Sequence, residues 1–108
     1  MAVTYVFQVG ETVRIPLLLS EGDSSTISNV RANLKLTKGN KQIPDLTVPS
    51  VASFEVIEAV GGWILEVPAS ETALLKPGMY AANAAMEVAG QTLITEPSYV
   101  RLEPTTTI

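Results

Sequence analysis

Alternation with a period of two runs through most of this chain. In Asn29–Thr37 it is nearly unbroken: Val30, Ala32, Leu34 and Leu36 fall on one side, and Asn29, Arg31, Asn33, Lys35 and Thr37 on the other. A helix would scatter those apolar positions around its circumference, so the segment is predicted as a strand with one wet face. Val13, Ile15, Leu17 and Leu19 repeat the pattern. Pro16 sits inside that strand and cannot donate to a ladder, which places the strand at a sheet edge or at a bulge. Phe54–Glu58 and Trp63–Val67 flank Gly61–Gly62 and read as a hairpin. Trp63, Leu65 and Val67 then point inward, with Ile64 and Glu66 outside.

The longest run is Met79–Val88. Tyr80, Ala82, Ala84, Met86 and Val88 share one face, and Ala81, Asn83, Ala85 and Glu87 the other. Ahead of it, Pro68 ends the previous strand, and Ser70 is expected to cap a helical turn over Glu71–Leu75, with Glu71 favourable at its positive end. Lys76–Pro77–Gly78 stops that turn. Lys38–Gly39–Asn40–Lys41 and Ala89–Gly90–Gln91 carry turn chemistry. Pro44–Ser53 reads as a loop or a short edge strand, and Thr92–Glu96 and Tyr99–Glu103 complete the strands. The count is about seven or eight short strands with turns every ~8–12 residues, plus one helical turn near 70–76. That is an all-β, antiparallel sandwich or barrel. Residues 1–103 form one domain, and 104–108 a Thr-rich tail.

Composition narrows the function classes. Of 108 residues, 46% are hydrophobic and 17% charged, with a mean hydropathy of +0.28. That is apolar for a small domain and points to surface covered by a partner or by further copies. The net charge of −4 argues against nucleic-acid binding, which needs a basic face. The one local cationic group, Lys35, Lys38 and Lys41, reads as a solvated hairpin tip. No apolar run is long enough to span a bilayer. The opening MAVTYVFQVGETVR lacks the basic and apolar regions of a signal peptide.

The chain has no cysteine and no histidine. Disulfides, thiol catalysis, the usual zinc sites and histidine acid–base chemistry go together. Serines and threonines have no histidine to activate them, and no Ser-x-x-Lys stands on a helix. Gly61–Gly62 lacks the residues of a phosphate loop. Glu55 and Glu66 face each other across the proposed hairpin, but paired carboxylates need a cleft to act as acid and nucleophile. Glu21–Gly22–Asp23–Ser24–Ser25 lacks the repeated ligands of a calcium loop. The sequence therefore predicts no catalytic residue, no cofactor and no metal. Trp63 is either core or a platform for a sugar ring, and its inward phase favours core.

Surface positions offer more. Leu18, Ile57 and Ile64 fall on outward phases of their strands, and Ala81, Asn83 and Ala85 make a small, flat outward face. These six are the candidate interface.

The corner Leu75–Lys76–Pro77–Gly78–Met79–Tyr80 resembles the tyrosine corner of immunoglobulin-like sandwiches. Its fold-signature residues are Leu75, Pro77, Gly78 and Tyr80. More widely, the chain resembles a family of small immunoglobulin-like domains of tailed bacteriophages and prophages, including the N-terminal domain of baseplate upper proteins. The matching pieces are Gly10–Glu11–Thr12 before an alternating strand, Trp63–Pro68 as the strand before the corner, Ser70–Tyr80, and a last hairpin turned by Ala89–Gly90–Gln91. Glu11 stands where the family usually has aspartate, and Glu21–Ser28 replaces its usual turn. The resemblance implies an immunoglobulin-like β-sandwich and a non-enzymatic structural virion protein, made in the host cytoplasm. It would serve in tail, baseplate or fibre attachment, or decorate the capsid. Its partners would be other virion proteins and copies of itself, with neither nucleic acid nor membrane. A carbohydrate- or host-surface-binding sandwich is the alternative.

Overall fold

The fold comes from a computed structural model that describes residues 4–18, 26–40, 47, 49–95 and 97–105, with the backbone alone for Leu18 and Asn40. Among the described residues nine strands carry it: β1 (Thr4–Gln8), β2 (Val13–Leu18), β3 (Ile27–Leu36), β4 (Ala52–Ser53), β5 (Glu55–Ala59), β6 (Gly62–Val67), β7 (Gly78–Val88), β8 (Gln91–Ile94) and β9 (Ser98–Glu103). One helical turn, α1 (Ala69–Thr72), joins β6 to β7. One sheet runs β1-β9-β7-β3-β4, with β8 also paired to β7; the other runs β2-β6-β5. All pairings are antiparallel except β1 with β9. The order β2-β6-β5 against β3-β7-β9 is the B-E-D against C-F-G arrangement of an immunoglobulin-like sandwich.

Alternation explains the core. Ala32, Leu34, Tyr80, Ala82, Val100 and Leu102 point inward from the larger sheet, and Val13, Ile15, Leu65 and Val67 meet them from the smaller. Trp63 is buried in the same phase, as the pattern predicts. Pro16 lies in β2, an edge strand of its sheet, where its missing N–H costs no ladder bond. The expected edge segment near Pro44–Ser53 contributes β4, paired to Asn33 and Leu34. Lys41, Pro44, Leu19 and Glu21–Ser25 lie outside the described residues, as do the last three of the tail.

Two expectations need correction. Ser70 does not cap the helical turn. The turn starts at Ala69 with Pro68 in the capping position, extended at φ −61° and ψ 151°, and no side chain caps it. Pro68 is compatible because a proline at a helix start loses no intrahelical hydrogen bond. The second correction is Ala81. It faces away from the main core, as its phase requires, yet it has 0% exposure. Tyr99 stands directly beside it on β9, and Met79, Ala81 and Tyr99 form a second buried cluster.

Candidate functional site

One end of the sandwich is tied by side-chain-to-backbone hydrogen bonds. The Tyr80 hydroxyl donates to the Lys76 carbonyl at 2.5 Å, the geometry of a tyrosine corner. Tyr80 is only 2% exposed. Burial raises its pKa above the usual 10.0. Leu75 packs against the core beneath the corner, and Gly78 opens β7. Four residues before Lys76, Thr72 donates to the Glu11 carbonyl at 2.6 Å and lies 3.1 Å from the Ala69 carbonyl. Glu11 closes a turn of its own. Its Oε1 accepts from the Gln8 N–H at 2.9 Å, and its N–H donates to the Gln8 carbonyl at 3.0 Å. Gly10 holds φ +88° in that turn, a conformation a side chain would strain. The Thr105 hydroxyl donates to the Val9 carbonyl and ties the start of the tail to the same end. The corner thus has a structural task, and its polar groups are spent on backbone.

The structure divides the six candidate interface residues between opposite faces. On the outer face of the smaller sheet, Ile57 stands directly across from Ile64, and Ile64 directly across from Pro16. Pairs opposed in an antiparallel ladder share a face, so the three make one apolar row across all three strands. Ile57 is 39% exposed, and Pro16 is exposed as well. The next row toward the corner is charged: Arg14 Nε lies 3.0 Å from Glu66 Oε2, and Glu55 stands across from Glu66. The two glutamates meet as the register predicts, but on an open sheet surface with an arginine on one of them. Leu18 belongs to the row beyond Ile64, opposite Gly62; its side chain is not described.

Ala81, Asn83 and Ala85 lie on the outer face of the larger sheet. That face is not the flat apolar surface the pattern suggests. Ala81 is covered, Asn83 stands across from Asn33, and Ala85 across from Arg31. Ser53 Oγ donates to Asn33 Oδ1 at 3.1 Å, and Arg31 Nη1 lies 3.7 Å from Glu87 Oε2. This stretch of β3 and β7 is polar and internally bonded, with the exposed Ile94 of β8 across from Ala85, so the candidate residues themselves are the weaker set.

A shallow pocket of ≈ 350 Å³ lies against Gly78, Met79, Arg101, Leu102, Glu103 and Pro104. Its lining offers one guanidinium and one carboxylate on the outward side of one strand, and no hydroxyl or thiol nucleophile. Among the described residues no three carboxylates gather as a metal site. Trp63 is 6% exposed, so it presents no open ring face for a sugar. Two features escaped the pattern. One is Thr72, whose partner is remote in sequence. The other is β8, every residue of which is exposed.

No known protein-family profile matches the chain, and a search of curated proteins finds no significant relative.

Proposed function

We propose that this chain is a structural protein of a tailed-bacteriophage virion, a rigid sandwich that docks onto neighbouring virion proteins and carries no catalytic site. The observation that supports it best is the meeting of the two segments on which the family resemblance rests. Gly10–Glu11–Thr12 and Ser70–Tyr80 are joined by the Thr72–Glu11 hydrogen bond into one locked corner. The two motifs are therefore neighbours in the fold as well as parts of one resemblance.

The docking surface in this reading is the row Pro16–Ile64–Ile57. It sits on a sheet whose shape is already set, so little ordering entropy is lost on contact. The Arg14–Glu66 pair beside it supplies a polar rim. Its place would be tail, baseplate, fibre attachment or capsid surface, in many copies. The test is mass spectrometry of purified particles from a host carrying this gene. The chain should appear as a stoichiometric component, and Ile57→Lys should leave the particle without it. Absence of the chain from particles made in a host that expresses the wild type would sink the reading.

A further inference from the structure

Strand margins elsewhere in this protein carry features that discourage pairing with another chain. β2 has Arg14 and Pro16, β5 has Glu55 and Glu58, and β4 is two residues long. β8 has none of these. Its sequence is Gln-Thr-Leu-Ile, its burial pattern is fully exposed, and Leu93 and Ile94 are 49% and 71% accessible. β7 pairs with it on one side, and among the described residues no strand pairs with it on the other. β1 is uncharged too, but it has one exposed apolar side chain, Val6. Among the described residues its pairing with β9 begins at Thr4 opposite Tyr99, short of the level of β8. Among the described residues the sheet margin steps back by one strand there.

We infer that this step is a self-association site: β8 pairs antiparallel with β8 of a second copy about a two-fold axis, joining two larger sheets into one. The inference rests on the multi-copy part of the virion reading but uses a different surface from the Pro16–Ile64–Ile57 row.

Two observations select a second copy as the occupant. The first is charge. Val88–Thr95 contains no charged residue, although the chain carries −4 overall. Two copies can meet here without opposing carboxylates, which would repel along most other margins. Of the acids that flank this stretch, Glu87 is one strand in and already faces Arg31, and Glu96 follows Thr95 outside the described residues.

The second is register. The Thr95 N–H donates to the Ala84 carbonyl at 2.9 Å. Backbone groups alternate sides along an antiparallel strand. Leu93 therefore turns its N–H and C=O toward Met86 of β7, and Thr92 and Ile94 turn theirs to the open side. A two-fold axis normal to the sheet at Leu93 sets Thr92 opposite Ile94 of the other copy, and Ile94 opposite its Thr92. Both outward-facing residues then find ladder partners at once. The two Leu93 side chains meet across the axis on the inner face. Thr92 and Ile94 make β-branched pairs on the outer face.

Sedimentation equilibrium on the full chain tests this. The wild type should dimerise reversibly. Ile94→Lys should weaken the dimer by about tenfold or more, because edge lysines block strand addition. Thr92→Pro should do the same, and its missing N–H is one that β7 does not use. Both variants should keep the wild-type circular dichroism. The register is tested by Leu93→Cys in this cysteine-free chain. The paired sulfurs should oxidise readily to a disulfide dimer, and Thr92→Cys should do so much more slowly, its copies lying out of register. A wild type that stays monomeric at its highest soluble concentration overturns the inference. So does a dimer that survives both Ile94→Lys and Thr92→Pro. Loss of dimerisation in Ile57→Lys but not in these would move the contact to the other sheet.

Discussion

Thr72 and Glu11 are 61 positions apart in sequence, and the hydroxyl of one donates to the backbone carbonyl of the other at 2.6 Å. Thr72 has 0% exposure, so no water can replace it. The bond fixes the helical turn between β6 and β7 onto the turn between β1 and β2. Thr72→Val keeps the volume and removes the donor. It should lower unfolding free energy by about 1 kcal/mol, the net worth of one hydrogen bond. Thr72→Ser should recover most of that loss. Urea denaturation of the three proteins measures it.

Tyr80→Phe should cost about 1 kcal/mol through loss of the bond to the Lys76 carbonyl. It should also change the response to alkali. Folding raises the Tyr80 pKa above 10.0, so above that pH the unfolded chain releases the proton first. Stability from this group is complete below pH 10 and falls as pH rises through the folded-state value. Denaturation midpoints across alkaline pH should drop less steeply in Tyr80→Phe than in the wild type. Equal slopes would detach the effect from Tyr80.

Ala89 and Gly90 turn the β7–β8 hairpin with φ 51° and 79°. Positive φ at both central residues is the mirror-image turn that suits a twisted ribbon. Glycine adopts it freely; alanine carries a Cβ that clashes there. Ala89→Gly or Ala89→Asn should raise unfolding free energy by up to about 1 kcal/mol, read from the thermal midpoint.

Trp63 should emit at short wavelength and resist acrylamide, since it is 6% exposed. Adding oligosaccharides should leave the emission unchanged. A quenchable Trp63 whose spectrum moves with a sugar would revive the carbohydrate-binding alternative.

Ile57→Lys and Ile64→Lys should separate docking from folding. Ile57 is 39% exposed on an outer face, so its replacement should change the denaturation midpoint by no more than about 0.5 kcal/mol equivalent. The same substitution should abolish incorporation into particles. Ile64 is less accessible and central in its sheet, so its replacement should lose some stability as well as docking.

How far these features could be read in advance depended on whether their cause was local. Alternation placed Trp63, Leu65 and Val67 inside because inward and outward phase is a property of a single strand. It also put Ile57 and Ile64 outside, and the hairpin register then set them face to face. Ala81 shows the limit. Phase says which face a residue joins, but only Tyr99, 18 positions on, decides whether that face is covered there. Ser70 failed as a cap because Pro68 already supplies the extended residue ahead of the turn. The order Gln-Thr-Leu-Ile in β8 puts Leu93 and Ile94 on opposite faces, so phase alone assigns it no buried side, and both stay exposed.

The parallel pairing of β1 with β9 also constrains the order of assembly. Thr4 pairs with Tyr99 and Gln8 with Glu103, so each contact closes a loop of nearly the whole chain. On a ribosome β1 emerges first, and the strand it pairs with emerges last. Until β9 is released, Tyr5 and Phe7 have no neighbouring strand to hold them against the core. Folding that depends on such remote contacts is slow, and the earliest strand waits longest as an exposed apolar segment, the state in which a nascent chain is open to wrong partners.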